Sequence, residues 1–389
     1  MKPIYLDHNA TTPVDPEVLE AMMPFLKESF GNASSVHHFG RDAKVALENA
    51  REQIATFINC RPSELYFTSG GTESDNLAVL GVAFHLKGRR NHLVVGATEH
   101  HAVLEPAEYL HHQHGFALDL LSVDGEGLSS AEQLADLVSE KTALVSVMLA
   151  NNETGAIQNI EFLSAVTKDR RCLFHTDAVQ AIGKMKVDVQ TLGVDLLSLT
   201  GHKIYGPKGT GALFIRQGVK LASLFFGGSH EKKRRPGTEN IAGVVGLAAA
   251  LEVADRRMEK DSATHKEQAN YFIDKVMATI PDVFFNGSRE NRIWPTVNLS
   301  FKGAEGESIL LSLDIEGISC SSGSACTSGA TEPSHVLAAM GKDPIQAQGA
   351  IRFSLGRETT HEQLDFVLEK LPPIITRLRE MSPLYDDRK

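Results

Sequence analysis

Apolar runs of strand length alternate with amphipathic helical segments along most of the chain, and this alternation constrains the fold more than any other feature. Residues 144–149 are apolar on both faces, which is typical of a strand buried in a parallel sheet. Asp15 and Pro16 suit the N-cap and first turn of a helix. Further predicted strands lie at residues 65–67, 93–95, 172–174, 196–199 and 212–215. Strands that alternate with helices predict an α/β fold with a mainly parallel sheet covered on both faces.

The alternation ends near residue 260, where shorter strands and helices follow a charged stretch. We therefore predict a large α/β domain of residues 16–259, and a smaller α+β domain made of residues 1–15 and 260–389. The small domain is expected to carry a mobile cysteine loop at about residues 320–333, because small polar residues predominate there.

The composition excludes several classes of protein. With 42% hydrophobic and 23% charged residues, the chain is expected to be globular. A net charge of −10 without a long basic run argues against binding of nucleic acid. No uncharged apolar run reaches about 18 residues, so no membrane span is expected. The N-terminus lacks a continuous apolar core, so no signal peptide is expected. The four cysteines indicate reduced thiols of a cytoplasmic protein rather than a disulfide framework.

Residues 67–76 place small residues between a predicted strand and a predicted helix. Backbone N–H groups at the helix N-terminus near Gly71, together with the hydroxyl of Thr72, are suited to bind an anion such as a phosphate. A tight turn that ends in an N-cap is the alternative interpretation of the same residues.

Lys203 follows a predicted strand and precedes a glycine-rich turn, so we expect it at the carboxyl edge of the sheet, where ligands bind in open α/β folds. A lysine kept partly unprotonated there can form a Schiff base with an aldehyde cofactor. Thr200 and His202 lie on either side of Gly201 and are both placed to reach a phosphate. The alternative is a solvated lysine without function, as most lysines are.

Asp177 and Gln180 follow the predicted strand at residues 172–174. The carboxylate of Asp177 suits a protonated pyridine nitrogen, which would make the ring a better electron sink. Gln180 is suited to donate a hydrogen bond to a ring hydroxyl. A helix N-cap is an equally good interpretation of Asp177.

Residues 317–333 are mostly small and polar, and they include Cys320 and Cys326. An exposed thiol on a mobile arm suits a nucleophile that must reach a buried substrate and then leave. We expect Cys326 to be that thiol and Cys320 to be a core thiol, and the alternative for Cys326 is a chance cysteine in a loop. No metal site is predicted, because the cluster at residues 111–114 lacks a second ligand group and suits a solvated helix end.

At these segments the chain resembles the cysteine desulfurases of the NifS/IscS group, in the aminotransferase class V branch of the fold-type I enzymes that use pyridoxal 5′-phosphate (PLP). Matching motifs also lie at residues 5–12, 30–35, 98–100 and 352–355, and residues 321–328 resemble the group I loop. The resemblance covers nearly the whole chain. It implies a large, mainly parallel seven-stranded sheet domain and a smaller α+β domain.

The resemblance also implies a role for each matched residue. Lys203, Cys326 and His100 would be catalytic: Lys203 carries the cofactor, Cys326 takes the sulfur, and His100 stacks on the ring and helps to move protons. The implied cofactor-binding residues are Lys203, Gly71, Thr72, His100, Asn152, Asp177, Gln180, Thr200, Gly201, His202 and Thr238, the last reaching the phosphate of the partner subunit in a homodimer. Asn152 and Arg352 would hold the substrate carboxylate, since a guanidinium matches a carboxylate bidentately.

The implied activity is the PLP-dependent conversion of L-cysteine to L-alanine, with the sulfur held as a persulfide on Cys326. The sulfur would pass to a protein acceptor such as an iron–sulfur scaffold, which could also share a cluster with the enzyme. Selenocysteine lyase and class V aminotransferase activities are the enzymatic alternatives, and a sulfur-assembly scaffold is the non-enzymatic one. Two residues depart from the family pattern: Thr200 stands where many relatives have serine, and His8, which has no assigned role, stands where relatives often have asparagine.

Overall fold

The structure is a computed structural model that describes residues 3–322, 334–383 and 385. Its strands are β1 (Ile4–Tyr5), β2 (Leu65–Thr68), β3 (His92–Gly96), β4 (Ala117–Leu121), β5 (Thr142–Ser146), β6 (Leu173–Asp177), β7 (Leu196–Thr200), β8 (Gly211–Ile215), β9 (Val283–Phe285), β10 (Thr296–Phe301), β11 (Ile318–Ser319), β12 (Ser321–Ser322) and β13 (Ala350–Ser354). Its helices are α1 (Pro16–Lys27), α2 (His38–Phe57), α3 (Gly71–Leu86), α4 (His101–His114), α5 (Ala131–Leu137), α6 (Ile160–Asp169), α7 (Val189–Leu192), α8 (Ile241–Thr279), α9 (Gly306–Ile315), α10 (His335–Ala339), α11 (Pro344–Gln348) and α12 (His361–Met381). None of the described helices is both long and apolar enough to cross a membrane.

The largest sheet has seven strands in the order β2-β8-β7-β6-β5-β3-β4. Strand β8 runs antiparallel to both of its neighbours, whereas β7, β6, β5, β3 and β4 are parallel to one another. The predicted mainly parallel α/β sheet is therefore confirmed. The helix predicted from Asp15 and Pro16 is also confirmed, because the carboxylate of Asp15 accepts a hydrogen bond from the backbone N–H of Glu17 at the start of α1.

Alternate residues of the central strands enter two different apolar cores. Val94 and Val145 pack in a core with residues of α2 and α8, whereas their neighbours Leu93 and Leu144 pack in a core with residues of α3 and α4. Successive side chains of a strand point to opposite faces, so a strand that is apolar at every position is covered on both sides. The sheet thus lies between helix layers, as the sequence predicts.

A second, antiparallel sheet has the order β12-β13-β10-β9, and β1 pairs with β11 beside it. Its core includes Ile4 and Leu6 from the N-terminus together with apolar residues of α8, α9 and α12. Helix α8 runs without interruption through residues 259 and 260, where the sequence suggests a domain boundary. Its first part packs in the core of the large sheet and its last part in the core of the small one. The charged stretch that suggested the boundary is the middle of this helix.

Candidate active site

Helix α3 begins directly after β2, at a glycine pair. Gly70 is the N-cap residue and has a φ of 155°, which glycine adopts far more readily than other residues do. A Cβ atom on Gly71 would lie 2.8 Å from the Cγ2 of Val179, so only glycine fits beside that side chain. A Cβ on Gly70 would lie 3.7 Å from the hydroxyl of Thr200. The N-terminus of α3, which includes Thr72, is thereby placed against the ends of β6 and β7.

The turn after β7 carries Lys203, which is half-buried. Its Nζ donates hydrogen bonds to the backbone carbonyls of Asn9, at 2.6 Å, and Ala10, at 2.8 Å. Beside it, Nδ1 of His202 lies 3.2 Å from the Thr11 hydroxyl, while the Thr200 hydroxyl donates to the backbone carbonyl of Thr210, just before β8. The N-terminal segment therefore covers the lysine turn.

Asp177 lies at the end of β6 and is 6% exposed. Its Oδ1 accepts a hydrogen bond from the backbone N–H of Val179 at 2.8 Å, as an N-cap would, although a turn and not a regular helix follows. Among the described hydrogen bonds Oδ2 has none. Burial raises the pKa of this carboxyl to about 6, while the positive charge of Lys203 opposes the rise.

Two further buried carboxyls, Asp75 and Glu99, stand close to Asp177. Burial is the main reason that the pKa of each lies well above its usual range, and the charge of Asp177 raises both further. His175, on the same strand as Asp177, bridges the hydroxyls of Ser146 and Ser198, and burial lowers its pKa to about 3. This histidine is therefore neutral and does not neutralise the carboxyls.

His100 is the N-cap residue of α4, because its Nδ1 accepts a hydrogen bond from the backbone N–H of Ala102 at 3.0 Å. Burial, followed by the charge of Lys203, lowers its pKa to about 4. The ring is thus neutral near pH 7. Since Nδ1 accepts, the proton resides on Nε2.

Arg352, on β13, is buried. Its Nη1 donates to the backbone carbonyl of Asn152 at 3.0 Å, and its Nη2 forms an ion pair with Asp7 at 2.8 Å. Its Nε is buried and has no hydrogen-bond partner among the described residues. A guanidinium with an unused buried donor can bind an incoming anion such as a carboxylate.

Asn9 forms hydrogen bonds with several residues of the candidate site, and the sequence did not predict it as a site residue. Its backbone carbonyl accepts from both Lys203 and the amide nitrogen of Gln180, the latter at 2.9 Å. Its own side-chain amide donates to the backbone carbonyl of Asn152 at 3.1 Å and to the Thr296 hydroxyl at 2.8 Å. The signal available was the motif at residues 5–12, which matched the family without a role for this residue.

Cys326 lies outside the described residues, but both ends of the segment that contains it are described. On one side, β12 pairs with β13, so that Ser321 stands opposite Arg352. On the other side, the hydroxyl of Ser334 donates to the buried carboxyl of Glu153 at 2.5 Å. Burial raises the pKa of Glu153 to about 7.

Other candidate residues lie apart from this cluster or have a structural environment. Thr238 is exposed in the loop before α8. Cys320 packs against the core of the small sheet, and burial raises the pKa of its thiol, as expected for a core thiol. Nδ1 of His8 lies 3.0 Å from the carbonyl of Ser354, and its ring occupies the space that a Cβ on Gly356 would need. The histidines of residues 111–114 lie in the last turn of α4.

Comparison with known proteins gives consistent matches over the whole length of the chain. Residues 4–367 match the family described as aminotransferase class-V. The chain is 50% identical over 386 residues to the cysteine desulfurase IscS of Dictyoglomus turgidum, which covers 99% of this chain and 98% of that relative. It is 46% identical over 383 residues to the cysteine desulfurase IscS of Methanosarcina thermophila, covering 98% of this chain and 94% of that relative.

Solved structures agree with these relatives. A NifS-like protein superposes with a TM-score of 0.91 at 37% identity, covering 97% of this chain and all 100% of that one. SspA in complex with cysteine superposes with a TM-score of 0.81 at 35% identity, covering 90% of this chain and 98% of that one.

Proposed function

The chain belongs to the aminotransferase class-V family, and we propose that within this family it is a cysteine desulfurase, which converts L-cysteine to L-alanine and transfers the sulfur. The observation that carries the proposal is the position of Lys203. Its amine is held by the N-terminal segment, and its charge acts on both Asp177 and His100. Sulfur transfer further requires a thiol that can reach this site, which we assign to Cys326.

The residues around Lys203 fit PLP. The unused Oδ2 of Asp177 suits a protonated pyridine nitrogen, and the N-terminus of α3, which no side chain of its N-cap residue caps, suits a phosphate. Bound PLP would act as an electron sink for the substrate carbon that loses its proton. Thr72, Thr200, Gly201, His202, Gln180 and the partner's Thr238 complete the proposed cofactor site.

In the proposed mechanism Arg352 and the side chain of Asn152 hold the substrate carboxylate. The Nζ of Lys203 takes the proton from the substrate Cα, and the neutral ring of His100 is available to accept the proton of a thiol. The thiolate of Cys326 then attacks the substrate sulfur. A sulfur–sulfur bond forms as the bond between the substrate sulfur and Cβ breaks, and the electron pair of that bond stays with the carbon skeleton. Cβ takes up a proton and Lys203 returns one to Cα, which yields alanine and a persulfide on Cys326.

The contacts at both ends of the segment 323–333 support the role of Cys326. Ser321 pairs with Arg352 across the strands β12 and β13. Ser334 donates a hydrogen bond to Glu153, which follows Asn152 in the sequence. His335 makes a further contact, with its Nε2 2.9 Å from the carbonyl of Glu99, next to His100. Ser321 and Ser334, which flank the segment, therefore contact residues beside or within the proposed substrate site.

We also propose that two copies of the chain form the active unit. Exposed apolar side chains flank the loop that carries Thr238: Phe30, Val36, Phe39, Phe225 and Phe226. Ser34 contacts His230 at 3.3 Å, which joins the two apolar segments. Apolar groups in such a patch are typical of a protein interface. The proposed acceptor of the persulfide is a protein such as an iron–sulfur scaffold, in the cytoplasm, where thiols stay reduced.

Replacement of Cys326 by alanine tests the assignment. The variant is expected to keep the visible absorbance of bound PLP and to bind cysteine, but to release no sulfide and form no alanine. Cys320→Ala is the matched control and should retain activity, because its buried thiol is a poor nucleophile. Sulfur transfer that survives in Cys326→Ala would contradict the desulfurase assignment. A colourless wild-type protein would instead favour the scaffold alternative.

A further inference from the structure

Lys184 is a lysine that the proposed mechanism does not use. Its Nζ donates a hydrogen bond to Oε1 of Gln180 at 2.8 Å. Together with Lys203, it lines an internal cavity of about 50 Å³ that lies between the two sheets' cores. It thus contacts Gln180, a residue of the proposed cofactor site, and shares a cavity with Lys203.

Lys184 has no ion-pair partner in the described part of the chain. Asp261 lines the same cavity, but its carboxylate is paired with Arg357 at 2.9 Å. Burial, followed by the charges of Lys203 and Arg352, lowers the pKa of Lys184 to about 7. A half-buried amine without a carboxylate partner does not stabilise the folded chain, so a purely structural role does not explain its presence.

The two hydrogen bonds of Gln180 define the orientation of its amide. The carbonyl of Asn9 can only accept, so the amide nitrogen of Gln180 faces Asn9. Oε1 therefore faces Lys184, which donates to it. The Asn9 carbonyl also accepts a hydrogen bond from Lys203, so the amide nitrogen of Gln180 lies on the same side as Lys203. One N–H of this amide is left for a ligand.

We propose that Lys184 is a positioning residue: by donating to Oε1 it holds Gln180 with its amide nitrogen turned toward the cofactor site beside Lys203. The hydrogen bond also polarises the amide, which makes the remaining N–H a stronger donor to a ring oxygen. This inference rests on the proposed function, because it assumes that PLP binds at Lys203.

The test measures the dissociation constant of PLP by titrating the cofactor-free protein and following the visible band. Lys184→Met keeps the alkyl chain but removes the donor, and we expect affinity about tenfold weaker, as for the loss of a hydrogen bond from a charged group. Lys184→Arg should recover affinity to within about threefold, because the adjacent cavity accommodates the larger head and a donor remains. The matched control is Lys186→Met, at an exposed lysine two positions away.

A double-mutant cycle separates positioning from a general effect of charge. If Lys184 acts through Gln180, adding Lys184→Met to Gln180→Leu should change the dissociation constant by less than about twofold. The thermal midpoint of cofactor-free Lys184→Met should equal or exceed that of the wild type, because the lysine has no carboxylate partner. The inference would be overturned if Lys184→Met weakened PLP binding equally in the wild type and in Gln180→Leu, or did not weaken it in the wild type. Failure of the proposed function is distinct, since the wild type itself would then show no PLP band.

Discussion

Replacement of Asp177 by asparagine should stabilise the cofactor-free protein while it disables the site. The pKa of this buried carboxyl is raised from its ordinary value of 3.8 to about 6, mainly by burial. Asparagine has nearly the same shape and can still accept the hydrogen bond from the N–H of Val179. The substitution therefore removes the buried charge, which also raises the pKa values of Asp75 and Glu99, without removing the described backbone contact.

The expected gain follows from the pKa. Each pH unit by which the pKa is raised costs the ionised form about 1.4 kcal/mol, so ionised Asp177 costs about 3 kcal/mol at neutral pH. An unfolding entropy of about 2 cal/mol/K per residue gives about 0.8 kcal/mol/K for this chain of 389 residues. The melting temperature of the cofactor-free variant should thus exceed that of the wild type by about 4 °C above pH 7.

The gain should depend on pH in one direction. A raised pKa means that the folded chain binds the proton more tightly than the unfolded chain, so the wild type loses stability as pH rises from about 4 through about 6. The difference between variant and wild type should therefore be absent near pH 4 and complete above pH 7, as followed by thermal unfolding in a series of buffers. Asp136→Asn, at an exposed position, is the control and should show no such difference.

The same variant should bind PLP at least tenfold more weakly, because it has no carboxylate for a pyridinium nitrogen. Wild-type affinity should fall as pH drops below about 6, where Asp177 takes up a proton in the cofactor-free site. A variant that melts at or below the wild-type temperature above pH 7 would refute the reasoning about burial. A variant that binds PLP with unchanged affinity would refute the role of Asp177.

Three other substitutions test separate parts of the site. Arg352→Lys should raise KM for cysteine about 100-fold in steady-state kinetics and change kcat less, because an ammonium cannot bind a carboxylate bidentately; an unchanged KM would contradict the carboxylate site. Gly71→Ala should weaken PLP binding about tenfold, since its Cβ would lie 2.8 Å from Val179, and Val179→Ala in the same chain should restore part of the affinity in cofactor titrations. Ser334→Ala should lower the free energy of unfolding by about 2 kcal/mol, through loss of the N-cap of α10 and of the bond to Glu153; unchanged denaturant unfolding would show that this attachment is weak.

The periodicity of the sequence was sufficient to predict the large sheet, because its strands are apolar on both faces and their flanking segments have helical spacing. The domain boundary was harder to locate. The change of pattern at the charged residues near 260 suggested a domain boundary, but a long helix can carry an exposed, charged middle between two buried ends, as α8 does. Local composition does not distinguish these two cases, since both expose the segment to water.

Among the site residues, those that follow strands directly were predictable, because strand ends meet at one edge of a sheet. Asp177 and Lys203 are of this kind. The contacts of Asn9 were not predictable, because they depend on its backbone carbonyl, which every residue type possesses, and on a chain segment almost 200 positions from Lys203. Lys184 was missed for a related reason: it acts through Gln180, and nothing in the spacing of the two residues marks the pair.

Several polar groups near Lys203 have unsatisfied atoms or charges, which favours a ligand site over a structural core. Asp177 is a buried carboxyl with an unused oxygen, Arg352 has a buried donor without a described partner, and Lys184 is an amine without a described counter-ion. Each of these groups destabilises the cofactor-free fold. A pyridinium nitrogen beside Asp177 and a substrate carboxylate on Arg352 would each satisfy one of them. The same groups that lower the stability of the cofactor-free fold would therefore strengthen the binding of cofactor and substrate. This arrangement is expected of a preorganised active site.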